Sequence, residues 1–125
     1  MPRLRAIAAL SAAAMLASAC GRASSPAPAA PRLGDSGRGA SLMRTYGCGA
    51  CHVIPGVLGA QGRVGPPLAG MGMRTSIAGV LPNTPDAMVR WLRTPQAVKR
   101  GDAMPDMGVG PRDAQDMAAY LASLR

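Results

Sequence analysis

The sequence has no phenylalanine and no glutamate, and only one tryptophan (Trp91), two tyrosines (Tyr46, Tyr120) and one histidine (His52). That is little aromatic mass for 125 residues, a length that suits one modest domain. Domains of this size bury a limited share of their surface. The core is therefore either Leu, Met, Ala and Val alone, or those residues around something that is not protein. The single histidine excludes any pair of imidazole ligands within one chain. The apolar stretch 6–17 falls short of the ~20 residues a spanning helix needs. Three cysteines, an odd number, exclude a simple disulfide framework. No internal repeat is visible.

The formal charge is +8, but part of it belongs to a targeting segment. From residue 33 onward, ten Lys or Arg face six Asp, a net of +4. These cations are scattered and lack interleaved aromatics, so nucleic-acid binding is not expected.

Residues 1–19 read as a secretory signal, with Arg3 and Arg5 at the positive end, an apolar stretch, and the small residues Ala17-Ser18-Ala19. Cys20 follows. The segment Leu16–Cys20 resembles a bacterial lipobox with Leu one place early, which makes Cys20 a candidate lipid anchor. Ordinary cleavage after Ala19 is the alternative. Residues 20–35 form the lipidation site and a Pro/Ala/Ser-rich linker, whose twelve residues 21–32 reach about 37 Å at ~3.1 Å each when extended.

The domain proper is expected over 36–125. A first helix is predicted from Ser36 or Gly37 to Tyr46, ending at Gly47. Residues 53–83 are rich in Gly and Pro and read as loop. A second helix is predicted from the N-cap Thr84, with Pro85 at its first position, to just before Pro95. The last begins near Gly110-Pro111, with Met117, Tyr120, Leu121 and Leu124 on one apolar face. Nothing reads as a strand, so the class is all-α: three main helices and long loops.

Cys48-Gly49-Ala50-Cys51-His52 carries the chemistry. C-x-x-C-H is the signature of covalent haem attachment. The two thiols add to the two haem vinyl groups, and the following His reaches the iron. A thioredoxin-like pair needs a βαβ setting that the sequence lacks. A zinc site needs four ligands, and Cys20 lies beyond the linker. A disulfide within the motif is strained and leaves His52 unexplained. With one His available, the second axial ligand is expected to be Met, which raises the haem potential relative to His. Met43, Met88 and Met117 sit on predicted helices, where packing is the default. Met71, Met73, Met104 and Met107 lie in loops. Met104 is preferred, because its loop joins the last two helices and Pro105 stiffens it; Met107 is the rival.

These residues together resemble the class I cytochrome c family across essentially all of 36–125. The matching features are Gly39 with Leu42 and Met43, the Cys48-x-x-Cys51-His52 motif, Gly65-Pro66-x-Leu68, Trp91, Met104-Pro105 and Ala118-Ala119-Tyr120-Leu121. Met43 stands where the family usually has Phe. The block Leu81–Pro85, followed by Trp91-Leu92 and Thr94–Lys99, is similar to the cytochrome c domain fused to some bacterial cytochrome c oxidase subunits II. The two membrane helices and copper-binding cluster of such subunits are not in this sequence, so a free-standing relative is expected.

The resemblance implies a small class I fold wrapped around one covalently bound haem c. It implies that the Pro66 carbonyl accepts the second ring N–H of His52, support that is general for metal-bound His. Leu68 would pack on the haem, and Trp91 and Arg74 would hydrogen-bond a propionate; plain core packing for Trp91 and an exposed charge for Arg74 are the alternatives. Gly39 would let the first helix cross the last closely, against Tyr120. The expected function is single-electron transfer in a respiratory chain, outside the cytoplasm, with a terminal oxidase or a quinol-oxidising complex as partner. The docking edge is expected among the apolar loops at Val53–Gly59. Membrane attachment through Cys20 is expected, with a soluble periplasmic protein as the alternative. A haem enzyme that loses its Met to peroxide or a small gas is the rival from another class, and a fixed subunit of a larger complex is a third reading.

Overall fold

A computed structural model of the chain describes residues 34–125. The signal segment, Cys20 and the linker up to residue 33 lie outside the described residues.

Four helices form. Helix α1, Ser36–Thr45, starts where the Asp35 carboxylate accepts the Arg38 backbone N–H at 3.0 Å, which satisfies one of the orphan donors of the first turn. It stops at Gly47, whose φ of 69° is left-handed, a conformation glycine adopts at little cost. Helix α2, Pro85–Arg93, is capped by the Thr84 hydroxyl, which accepts the Ala87 N–H at 3.3 Å. Asp86 in its first turn and Arg90 and Arg93 in its last complement the helix dipole. The short α3, Pro95–Val98, begins at the proline that ends α2. Helix α4, Pro111–Ser123, opens with Pro111 at its first position and Asp113 in its first turn.

The stretch 53–83, expected as loop, holds a short strand pair among the described residues. Ser76–Ile77 (β1) and Leu81–Pro82 (β2) pair as a two-residue antiparallel ladder. The turn between them closes with Val80 N–H donating to the Ile77 carbonyl at 3.0 Å, and both central residues, Ala78 (φ 51°) and Gly79 (φ 71°), have positive φ. Two left-handed residues match the twist of paired strands. So short a ladder leaves almost no alternating pattern to read.

Helix α4 packs against both α1 and α2. Its inner face buries Ala114, Met117, Ala118, Tyr120 and Leu121, and Met117 is fully enclosed. Met43 of α1, Met88, Trp91 and Leu92 of α2, Ile77 of β1, and Ile54 and Met71 from between the helices join this core. Gly39 lies where α1 crosses α4. A Cβ there would overlap the Asp116 carbonyl and crowd the Tyr120 Cβ, so this crossing demands glycine. A polar cluster locks the same crossing. Arg38 bridges Asp113 at 2.5 Å and also pairs with Asp116. Asp116 accepts the Asp35 N–H at 2.8 Å, and Tyr46 donates its hydroxyl to Asp113 at 2.7 Å.

Candidate functional site

The C-x-x-C-H segment follows directly on α1. After the left-handed Gly47, residues Cys48–Ala50 make a single 3₁₀ turn, and His52 N–H bonds back to the Cys48 carbonyl at 3.0 Å. The turn is anchored from outside: Gly62 N–H donates to the Gly49 carbonyl at 3.0 Å and Gly65 N–H to the Cys51 carbonyl at 2.8 Å. Cys48 and Cys51 are free thiols, each half-buried. Burial pushes the Cys48 thiol above its ordinary value. Among the described residues no group of three or more His, Cys, Asp or Glu side chains is placed to hold a metal ion, so a zinc site built from those side chains is not formed there.

His52 is held in one orientation. Its Nδ1 lies 2.7 Å from the Pro66 carbonyl, so Nδ1 carries the proton and Nε2 keeps its lone pair. Gly65 packs so closely on the ring that a Cβ at this position would overlap the imidazole. The strand of chain 65–68 is thus a cradle for the ring, and Leu68 N–H, bonded to the Val53 carbonyl at 2.9 Å, ties its far end to the segment that follows the motif.

Cys48, Cys51, His52, Pro66, Leu68, Arg74, Trp91 and Met104 all line one cavity of about 510 Å³. That falls in the range of small-molecule and cofactor sites, ≈ 300–1,000 Å³. The rest of the wall is apolar, including Met43, Met71, Ile77, Met88, Leu92 and Leu121. The cavity lies where the scarce aromatics leave the core unfilled. Two thiols, an oriented imidazole with a free Nε2, and thioether sulfurs around an apolar space fit a haem attached through both cysteines.

The structure treats the individual expectations unequally. Trp91 is buried and on the wall. Leu68 is half-buried and on the wall. Arg74 is exposed, and its guanidinium donates to the Pro67 carbonyl at 2.5 Å and to the Ala69 carbonyl at 3.2 Å. Those bonds spend one of its nitrogens on the loop that carries Pro66. Met104 is half-buried, Met107 is 40% exposed, and both reach the cavity. Met71, read as a loop residue, sits on a 3₁₀ turn, Met71–Met73, and is buried. Met73 is 65% exposed and does not line the cavity. Sequence reasoning missed Asn83, whose amide donates to the carbonyls of Met71 and Arg74, both at 2.8 Å. The only trace of it was its position between Pro82 and Thr84 at the head of α2.

The fold and this site define a haem-binding domain of the cytochrome c kind. The profile of the family described as Cytochrome c matches residues 36–125, and the chain belongs to that family. Its members carry covalently bound haem c and serve as electron carriers, typically outside the cytoplasm, and the protein is a haem-based electron carrier of this type. The chain is 33% identical over 89 residues to cytochrome c oxidase subunit 2 of Alkalihalophilus pseudofirmus, a match covering 70% of this chain and 25% of that protein. The chain thus spans about a quarter of the curated relative's length. Among the described residues no helix is long and apolar enough to cross a membrane.

Proposed function

We propose that the chain carries single electrons through one haem c bonded to Cys48 and Cys51, with His52 Nε2 and the Met104 sulfur as axial ligands. The observation that carries this reading is the convergence of both thiols, the Pro66-held imidazole and Met104 on one apolar cavity. Haem bound there supplies an iron that gains or loses one electron with its ligand set unchanged. The residues supply the rest. Pro66 fixes the tautomer and angle of His52 and raises its basicity. The apolar wall lowers the local dielectric, and a thioether ligand raises the potential relative to a second imidazole. Held by both His52 and Met104, an iron here would offer no open position to a substrate, which favours electron transfer over peroxide or gas chemistry. Trp91, through its indole N–H, and Arg74, through the guanidinium nitrogens its loop bonds leave free, are the wall residues that would meet a propionate.

The electron partner in this reading is a terminal oxidase. The similarity to a protein named as an oxidase subunit supports it, and a quinol-oxidising complex is the natural donor. The exposed Leu58 and Val53 of the loop that follows the motif give a small apolar docking edge, and redox encounters of this size are weak and short-lived. The reading places the domain outside the cytoplasm, tethered through a lipidated Cys20 and the linker.

Met104→Ala tests the ligand set. The oxidised variant should lose the sulfur-to-iron absorption band and its potential should fall. If Met107→Ala has that effect and Met104→Ala does not, the sulfur is Met107.

A further inference from the structure

The segment that carries Met104 has no regular structure. It runs from α3 to α4 through Gly101 (φ 79°) and Gly108 (φ 68°), both left-handed and both open to any neighbour. Pro105 follows Met104 and has no N–H to give, and the Met104 N–H is turned to Asp102 within the loop, which leaves the Met104 carbonyl to tie this stretch to α3. That carbonyl is taken by one side chain. Gln96 Nε2, on α3, donates to the Met104 carbonyl at 2.7 Å and to the Asp102 carbonyl at 2.8 Å. Its Oε1 accepts the Gly101 N–H at 3.1 Å. Its backbone N–H donates to the Asp106 carboxylate at 3.1 Å. One residue therefore grips the loop before Met104, at Met104 and after it, and the half-buried Gln96 amide turns both its N–H bonds and its oxygen toward this loop.

We infer that Gln96 is the positioning residue for the axial sulfur: its amide clamps the Met104 loop closed and sets how readily the sulfur leaves the iron. This rests on the reading of Met104 as ligand. The loop has two arrangements, sulfur on and sulfur off. The three side-chain bonds of Gln96 exist only in the first, so they bias the equilibrium by their combined strength. Lys99 and Asp102, paired at 2.9 Å, and the Asp102 carboxylate, which accepts the Met104 N–H at 3.1 Å, shape the same loop from within, but neither lies on a helix as Gln96 does.

The test uses the oxidised holoprotein and imidazole, a small ligand that must break the Fe–S bond before its nitrogen bonds the iron. Its apparent affinity therefore scales with the fraction of protein whose sulfur is off. Gln96→Glu keeps the acceptor for Gly101 and the backbone N–H tie to Asp106 but removes both side-chain donors. Imidazole should bind this variant about tenfold or more tightly than the wild type, as the loss of two neutral hydrogen bonds implies. The effect should vanish in the Met104→Ala background, where there is no sulfur to release. A purely structural residue would lower the unfolding midpoint equally in both backgrounds and leave the wild-type imidazole affinity alone. Gln96→Leu, which adds no charge, is the second variant should the first fail to mature. An imidazole affinity within about twofold of wild type, with the sulfur band intact, overturns the clamp and leaves Met104 as ligand. A Met104→Ala protein that keeps the sulfur band overturns the ligand assignment, and the clamp falls with it.

Discussion

Single residues in this domain are constrained by space more than by charge. Gly65 is the plainest case, because any side chain there meets the His52 ring. Gly65→Ala should cost about 1–3 kcal/mol, the usual penalty for overpacking, and should disturb the absorption spectrum as the imidazole is pushed off its angle. Thermal unfolding and the visible spectrum of the purified variant check both effects. Ala78 is constrained in the opposite sense. It holds φ at 51° without being glycine, which costs on the order of 1 kcal/mol. Ala78→Gly should recover about that much in a denaturant titration, because its exposed side chain makes little packing to lose. The motif residues were legible because their chemistry is written in adjacent positions: Cys48, Cys51 and His52 need only a tight turn to meet. Gln96 and Asn83 were not. An amide that bonds carbonyls far along the chain looks in sequence like any solvated amide, and its partners are backbone groups with no signature.

At the scale of elements, the helices announced themselves through their caps. Thr84-Pro85-Asp86 and Gly110-Pro111 start α2 and α4 where predicted, and Gly47 closes α1. The separate α3 was hidden, since Pro95 serves at once to end one helix and begin the next. The α1–α4 crossing was legible in Gly39 but not in its polar lock, whose pairs join residues 67 to 81 positions apart. The lock makes a prediction about pH. The Tyr46 hydroxyl and Arg38 hold the Asp113 carboxyl below its ordinary range, and the Asp35 N–H and Arg38 do the same for Asp116. A carboxylate with a lowered folded value contributes stability above its unfolded value and loses it as pH falls through the folded one. The wild-type melting temperature should therefore drop as the pH is taken below about 4. Asp116→Asn should melt lower than wild type at neutral pH and should show a flatter acid decline, because one of the two linked carboxylates is gone. Equal acid slopes in the two proteins would remove this lock from the explanation of acid stability.

The whole molecule makes sense as a thin protein shell around a cofactor. With no Phe, one Trp and a core largely of Met, Leu, Ile and Ala, the polypeptide encloses a cavity of about 510 Å³ instead of filling it. The haem is in this view the missing part of the core, and attachment through Cys48 and Cys51 would keep it there. The most direct measurement is the mass and colour of the acid-denatured full-length protein, produced in a host that assembles c-type cytochromes. We expect one haem to stay with the unfolded polypeptide, and to be lost from it when both Cys48 and Cys51 are replaced by Ala. A wild-type chain that unfolds colourless, or that releases its haem into organic solvent, would contradict attachment at this motif.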